Sequence, residues 1–458
     1  MLHREIKMEA INQTESIGKT FRRFTIPAVM AMLVNGLYQI VDGVFVGHFL
    51  GQDGLSAINI AWPIISIFMG VGLMIGMGTG SLVSTFRGMR ESAKARKALG
   101  NGLALVIFIG LGCSAILYVF GGQLMTLQGA TGQILSYAVS YLQIFIGFSV
   151  IAVGASAAPF LIRNDDSPKV ATGLMVAGAI INIVLDYIFI GILGWGLEGA
   201  AIATVTAQSV VVLLTLVYFC SRFSTLRLSL ADLKPDGKKM TDTLTLGSSC
   251  LVMYLYTGLM VAIHNRLFME YGSAVSVAAY AIVGYLMTLY YLLAEGIAEG
   301  MQPPVSYFHG QNAHDKVRKT VLLACKATII VGVSWITLLN LFPEFMISWF
   351  NSSNVTLVQE ASHGITLHLF SLFLDGLIII GSVYFMSVGQ GGMALTISLS
   401  NMLVQLPFLW LLPKWFGENG VWLAMPVSNI FLAVLVLGAM WQSLSQAPIQ
   451  QTRNTAAA

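Results

Sequence analysis

The chain has 458 residues, 56% of them hydrophobic and only 10% charged, with a formal net charge of +3 and a mean hydropathy of +0.78. Soluble globules carry about 25% charged residues, so the body of this chain is not a water-soluble enzyme or regulatory domain. The small positive excess is no nucleic-acid surface either, because the basic residues sit in separate short loops with no shared face.

Residues 1–23 are polar and charged for too long to be a secretory signal and read as a cytoplasmic N-terminal segment. A spanning helix needs roughly 20 apolar residues. Runs of that kind begin near Phe24, Leu55, Leu99, Gln133, Lys169 and Gly199, which defines a first block of six over 24–220. The longest polar stretch, Ser221 to Met240, follows and sets a linker at 221–241. Six more runs begin near Asp242, Ser276, Thr320, Ala361, Ala394 and Gly420, filling 242–443 and leaving 444–458 as a tail. The runs are interrupted by Gly but do not alternate, which argues for helices and against an outer-membrane barrel. The expectation is an all-α integral membrane protein of twelve transmembrane helices.

Lys and Arg cluster before the first run (Arg4, Lys7, Lys19, Arg22, Arg23) and again in Arg87 to Lys97, Arg163 to Lys169, Arg222 to Lys239 and Lys316 to Lys326. Only Arg266 and Lys414 of the 24 basic residues fall in the alternate loops. By the positive-inside rule both termini are cytoplasmic. Cys113, Cys220, Cys250 and Cys325 lie in or beside apolar runs without pairable spacing and read as small core residues.

The two blocks repeat one another. Phe86-Arg87-Gly88 followed by Lys94, Arg96 and Lys97 returns as Phe308-His309-Gly310 followed by Lys316, Arg318 and Lys319, an offset of 222 (308 minus 86). Repeated halves in so apolar a chain point to a transporter with its binding site between them. Gly70, Gly72, Gly76, Gly78 and Gly80 suit close helix packing. No nucleotide-binding loop is present, so transport would draw on an ion gradient.

An ionisable group in hydrocarbon costs about 2.5 kcal/mol or more. Those left inside runs are Asp42, Asp186, His264, Glu295, Glu299 and Asp375. Topology puts Asp42, Asn182, Asp186 and Thr204 at one depth in the outer half of the first block, where carboxylate, amide and hydroxyl oxygens suit Na⁺ or a proton. A helix cap or an aqueous vestibule would also account for them. Glu295 and Glu299, four apart on one face, form either a proton-accepting or cation-attracting wall of a central cavity or a wet inner mouth with no coupling role. Asp375 should point into the bundle, as a substrate or proton site or as one partner of an interhelical bond. His264 stands 222 residues after Asp42 (264 minus 42) and is a candidate proton relay or a packed core histidine. Pro27 is either a conformational hinge or a helix-start proline. The 22 methionines and many aromatics suit a promiscuous cavity or an ordinary core.

Pro27, Val41-Asp42-Gly43, Asn182 with Asp186-Tyr187, Gly199-Ala200-Ala201 through Thr204, and Gln302-Pro303 with Ser306-Tyr307 resemble the multidrug and toxic compound extrusion (MATE) transporters over essentially the whole chain. The stretch Gly417 to Pro426 is most similar to the bacterial branch holding the DinF-type and MepA-type exporters. The resemblance implies two pseudo-symmetric six-helix lobes around a central cavity, rocking between two access states. It implies export of organic cations and drugs against inward H⁺ or Na⁺, with no covalent cofactor. Asp42, Asn182, Asp186 and Thr204 would form the cation site, and Asp375 would match an Asp that some members use. The expected setting is a bacterial inner membrane, with lipid around a monomer. A lipid-linked precursor flippase and a channel or sensor are the rival readings.

Overall fold

The computed structural model describes residues 15–350 and 354–455. Residues 1–14 of the expected lead-in and 456–458 of the expected tail lie outside the described residues.

Helix α1, Ile17–Gly51, begins ahead of the apolar run because the Ser16 side chain accepts from the Lys19 backbone N–H and caps it. Lys19, Arg22 and Arg23 are thereby helical. Gly51, at φ 64°, takes a conformation that favours glycine and turns the chain into α2, Asp53–Gly88. Next come α3, Ser92–Leu127, then α4, Gly132–Gly147, and α5, Ser149–Asn164, which meet at 68°. Gly147 and Ser149 flank that break, and Gly/Ser pairs are a usual cause of sharp kinks. Helix α6, Pro168–Ile192, ends in a π-helical turn over Tyr187–Ile192, and α7 is Gly196–Cys220.

The segment between the blocks holds a single 3₁₀ turn, Leu230–Leu233, capped reciprocally by Ser229 and Asp232. Helix α8, Gly237–Tyr271, starts before residue 242 because Asp236 accepts from the backbone N–H groups of Lys238 and Lys239. Then follow α9, Ala274–Gly310, α10, His314–Leu341, the short α11, Pro343–Ser348, α12, Val355–Leu369, and α13, Leu372–Ser387. The last two meet at 44°, where Ser371 turns its hydroxyl to the Pro426 carbonyl at 3.4 Å. Helices α14, Gly391–Phe416, and α15, Glu418–Thr455, complete the chain.

Ten helices among the described residues are long and apolar enough to cross a bilayer, and the two bent pairs bring the spans to twelve. This is a multi-pass, all-α membrane protein in two six-span halves. Each half has its own core, around Phe68 and Phe145 in the first and Phe268 and Trp422 in the second. A third cluster joins them: Phe21, Met77 and Phe160 of the first half pack with Leu246, Cys250 and Met301 of the second. Small residues permit this approach. Gly78 meets the backbone of α8 at Thr243, and Gly300, its image 222 residues on, meets the backbone of α1 at Thr25.

Two expectations change. Cys220 is exposed, not core, because it is the last residue of α7 and no further turn covers it. Arg163 is not in a loop: α5 continues through Asn164, and Arg163 is 1% exposed where the halves meet.

Candidate cation and substrate cavity

A cavity of about 150 Å³ lies inside the first half and reaches the second. Its walls are mainly apolar, with Met32, Met69, Phe160 and Met175 among them. Polar atoms enter at fixed points: Asn35 and Tyr38 from α1, Asn182 from α6, Thr204 and Gln208 from α7, and Tyr254 and Glu299 from the second half.

Helical spacing fixes the polar pole. Asp42 is one turn beyond Tyr38 on α1, and Asp186 one turn beyond Asn182 on α6, so both carboxylates stand just past the lined part, toward Gly51 and the π turn. Each lies within electrostatic reach of the other, and Tyr38 and Tyr141 lie within reach of both. The Asn182 amide donates to the Thr204 hydroxyl at 3.3 Å, which ties α6 to α7. That bond engages the amide nitrogen and leaves the amide oxygen without a protein donor. Asn182 Oδ1, both Asp186 oxygens, Asp42 Oδ1 and Gln208 Oε1 are buried with no protein donor. Buried acceptors are normally satisfied, so this cluster of oxygens suits a guest that brings positive charge or N–H and O–H donors. The four residues expected to act together are thus brought into one region, and Asp186, at the start of the π turn, makes no side-chain capping bond.

Gln208 was missed by the sequence reading. It follows Thr204 by four residues on α7, and that spacing alone was the available signal.

The other acids separate. Glu299 lines the far end of the cavity, is 7% exposed, and is bonded by Arg163 Nη1 at 3.1 Å. Glu295 is one turn away and within electrostatic reach of Glu299, but it is not part of the cavity wall. Asp375, 4% exposed, points into the second half and accepts from the Tyr291 hydroxyl at 2.9 Å. His264 is 1% exposed and away from the cavity: its Nδ1 donates to the Met260 carbonyl at 2.8 Å and its ring stacks on Tyr280. The second half does not rebuild the polar pole. Positions 222 residues after Asn182, Asp186 and Thr204 are Val404, Phe408 and Pro426.

Pro27 lies within an unbroken α1, the break being at Gly51, and its carbonyl accepts from the Thr172 hydroxyl of α6 at 2.7 Å. Groups of three or more His, Cys, Asp or Glu able to hold a metal ion are absent among the described residues. A hard monovalent ion here would therefore rest on the mixed carboxylate, amide and hydroxyl oxygens.

The MatE family model matches the chain twice, over residues 27–188 and 249–411. The multidrug export protein MepA of Staphylococcus haemolyticus is 24% identical over 426 residues, covering 93% of each chain. MepA of Staphylococcus aureus is 24% identical over 416 residues, covering 88% of this chain and 89% of that one. Among solved structures, an outward-facing multidrug resistance MATE family transporter of the MOP superfamily superposes with a TM-score of 0.89 at 22% identity, covering 94% of this chain and 97% of that one.

Proposed function

The chain belongs to the MatE family, and from that premise we propose that it is a multidrug efflux transporter working as an H⁺- or Na⁺-coupled antiporter of organic cations. The observation that carries this reading is the cavity itself: apolar, Met-rich walls ending in buried acceptor oxygens that no protein donor meets. Adaptable apolar walls accept flat, greasy molecules of varied shape. Oxygens without donors select for positive charge.

Asp42 and Asp186, with Asn182 and Thr204, form the coupling site in this reading. A proton or Na⁺ bound there favours one arrangement of the two halves, and its release favours the other. The energy for export comes from that difference in affinity between states. The end of the bundle carrying Arg23, Arg87 and Lys94 is assigned to the cytoplasm by its positive charge. The two six-helix lobes, 24–220 and 242–443, then rock about the linker at 221–241 in a bacterial inner membrane. MepA, named as a multidrug export protein in two staphylococci, supports the substrate class.

Everted vesicles holding the wild-type protein or Asp42→Asn test this directly. Uptake of a fluorescent organic cation under an imposed proton or sodium gradient, abolished in the variant, is the expected result and names the ion. Uptake by the variant at the wild-type rate overturns the assignment of Asp42, and uptake under neither gradient overturns antiport.

A further inference from the structure

Arg163 and Glu299 form an ion pair across the two halves, and its setting is unusual on both sides. Arg163 is a cation buried at the end of α5, 1% exposed, with its guanidinium 5.2 Å from the Phe160 ring centroid. It makes a single 3.1 Å contact to Glu299 through Nη1, and its Nε is buried with no acceptor. A bidentate guanidinium–carboxylate pair would be stronger. Glu299 in turn belongs to the wall of the cavity, so one face of the carboxylate meets the other half while the residue borders the space a substrate would occupy.

The pair sits in a seam that closes the basic end. Next to Arg163, the Asn164 amide donates to Gln302 Oε1 at 2.9 Å, and Gln302 Nε2 donates to Ser306 at 3.1 Å. Ser306 contacts Ser81 at 3.3 Å, and Ser81 donates to the Met386 carbonyl at 3.1 Å. Every bond from Asn164 to Gln302 and from Ser81 to Ser306 joins one half to the other. When the halves part at this end, those bonds and the ion pair part together. Glu299 is then a bare carboxylate in the cavity wall, and burying an unpaired charge is costly.

We propose that Glu299 is a shared carboxylate, bound by Arg163 when the basic end is closed and by the charge of the organic cation when it is open. The cation stabilises the open form because it replaces the missing guanidinium. Closure returns Arg163, a tethered cation, which displaces the substrate from Glu299 and sends it toward the opposite end. This role rests on the transport reading above and extends it: the cavity has a second cation-recognising pole, distinct from the Asp42 and Asp186 end, and that pole senses substrate charge. A neutral molecule of the same shape gains nothing from Glu299 and shifts no equilibrium, since a ligand moves a conformational balance only by its differential affinity.

Cys250 supplies the readout. It is buried in the cluster that joins the halves, close to Glu299. With Cys113, Cys220 and Cys325 changed to Ser, the purified full-length protein is labelled by a maleimide with and without tetraphenylphosphonium, and with triphenylphosphine oxide as the neutral analogue. Labelling is expected to be slow in this parent, severalfold faster with tetraphenylphosphonium, and unmoved by the oxide. Glu299→Gln and Arg163→Met should each label fast without ligand and lose the response. The exchanged pair, Arg163→Glu with Glu299→Arg, should label slowly again, which separates a latch from simple misfolding. Glu299→Gln that labels and responds as the parent does overturns the proposal. Failure of the parent to carry tetraphenylphosphonium into vesicles under either gradient would instead count against the transport reading, while the ligand-free labelling still decides whether the pair holds the halves.

Discussion

Gly88 and Gly310, the equivalent glycines of the two repeats, pack against each other where the halves meet. A methyl group at Gly88 would overlap the Tyr307 carbonyl and stand 3.1 Å from the Cα of Gly310, and one at Gly310 would overlap the Thr85 carbonyl and stand 3.1 Å from the Cα of Thr85. The repeat is therefore more than a relic of duplication. It places two residues without side chains where the halves meet, and the two backbones close there.

Gly310→Val should open that contact. The atoms in its way are backbone, which cannot swing aside as a side chain would, and overpacking of this kind costs about 1–3 kcal/mol. The expected result is a melting temperature in detergent lowered by several degrees and faster maleimide labelling at Cys250. A variant that melts and labels like the wild type would show that this approach is not needed for closure.

Asp186→Asn should separate stability from function. Asp186 is 0% exposed and neither of its oxygens has a protein donor, so the carboxylate contributes nothing to folding that an amide of the same shape would not. Thermal unfolding is expected at the wild-type temperature or a few degrees above it, while gradient-driven uptake falls at least tenfold. A marked loss of stability would make Asp186 a structural residue.

Much of this arrangement was legible in the sequence because hydrocarbon is an unforgiving solvent. Long apolar runs had to be helices, the basic clusters had to share one end, and the offset between Gly88 and Gly310 announced the halves. The grouping of Asp42, Asn182, Asp186 and Thr204 followed from counting residues along helices of fixed rise. Tertiary facts were not legible. Arg163 at the end of an apolar run reads as a loop residue, and only the opposite half, carrying Glu299, shows why it is buried. The bends at Phe148 and Phe370 depend on local polar residues that break neither run in hydropathy. Gln208 was not singled out, because nothing in the chain says which face of α7 lines a cavity.

Gln208→Leu should weaken recognition without harming the fold. The buried Oε1 has no protein donor, so removing it leaves no partner stranded. If the oxygen accepts from a cationic N–H of the substrate, its loss is worth about 0.5–1.5 kcal/mol. The apparent KM for a protonated amine should rise roughly two- to tenfold, with no change for a quaternary cation that lacks a donor. Equal changes for both would point to an effect on cavity shape.

Tyr291→Phe tests Asp375, an acid that the second half keeps inside the bundle and away from the cavity. Asp375 is 4% exposed and accepts from the Tyr291 hydroxyl at 2.9 Å, which joins α9 to α13. Removing the hydroxyl strands a buried carboxylate oxygen, at a cost of about 1–3 kcal/mol and somewhat more if it is charged. The double variant with Asp375→Leu removes the Tyr291 hydroxyl and its acceptor together and should recover part of that loss, the remainder falling on the buried Asn429, whose side-chain bond to Asp375 goes as well. Melting temperatures of the two single variants and the double one measure this coupling. Recovery of stability with full gradient-driven uptake would assign Asp375 to the architecture of the second half, and recovery of stability with uptake abolished would make it a second coupling acid.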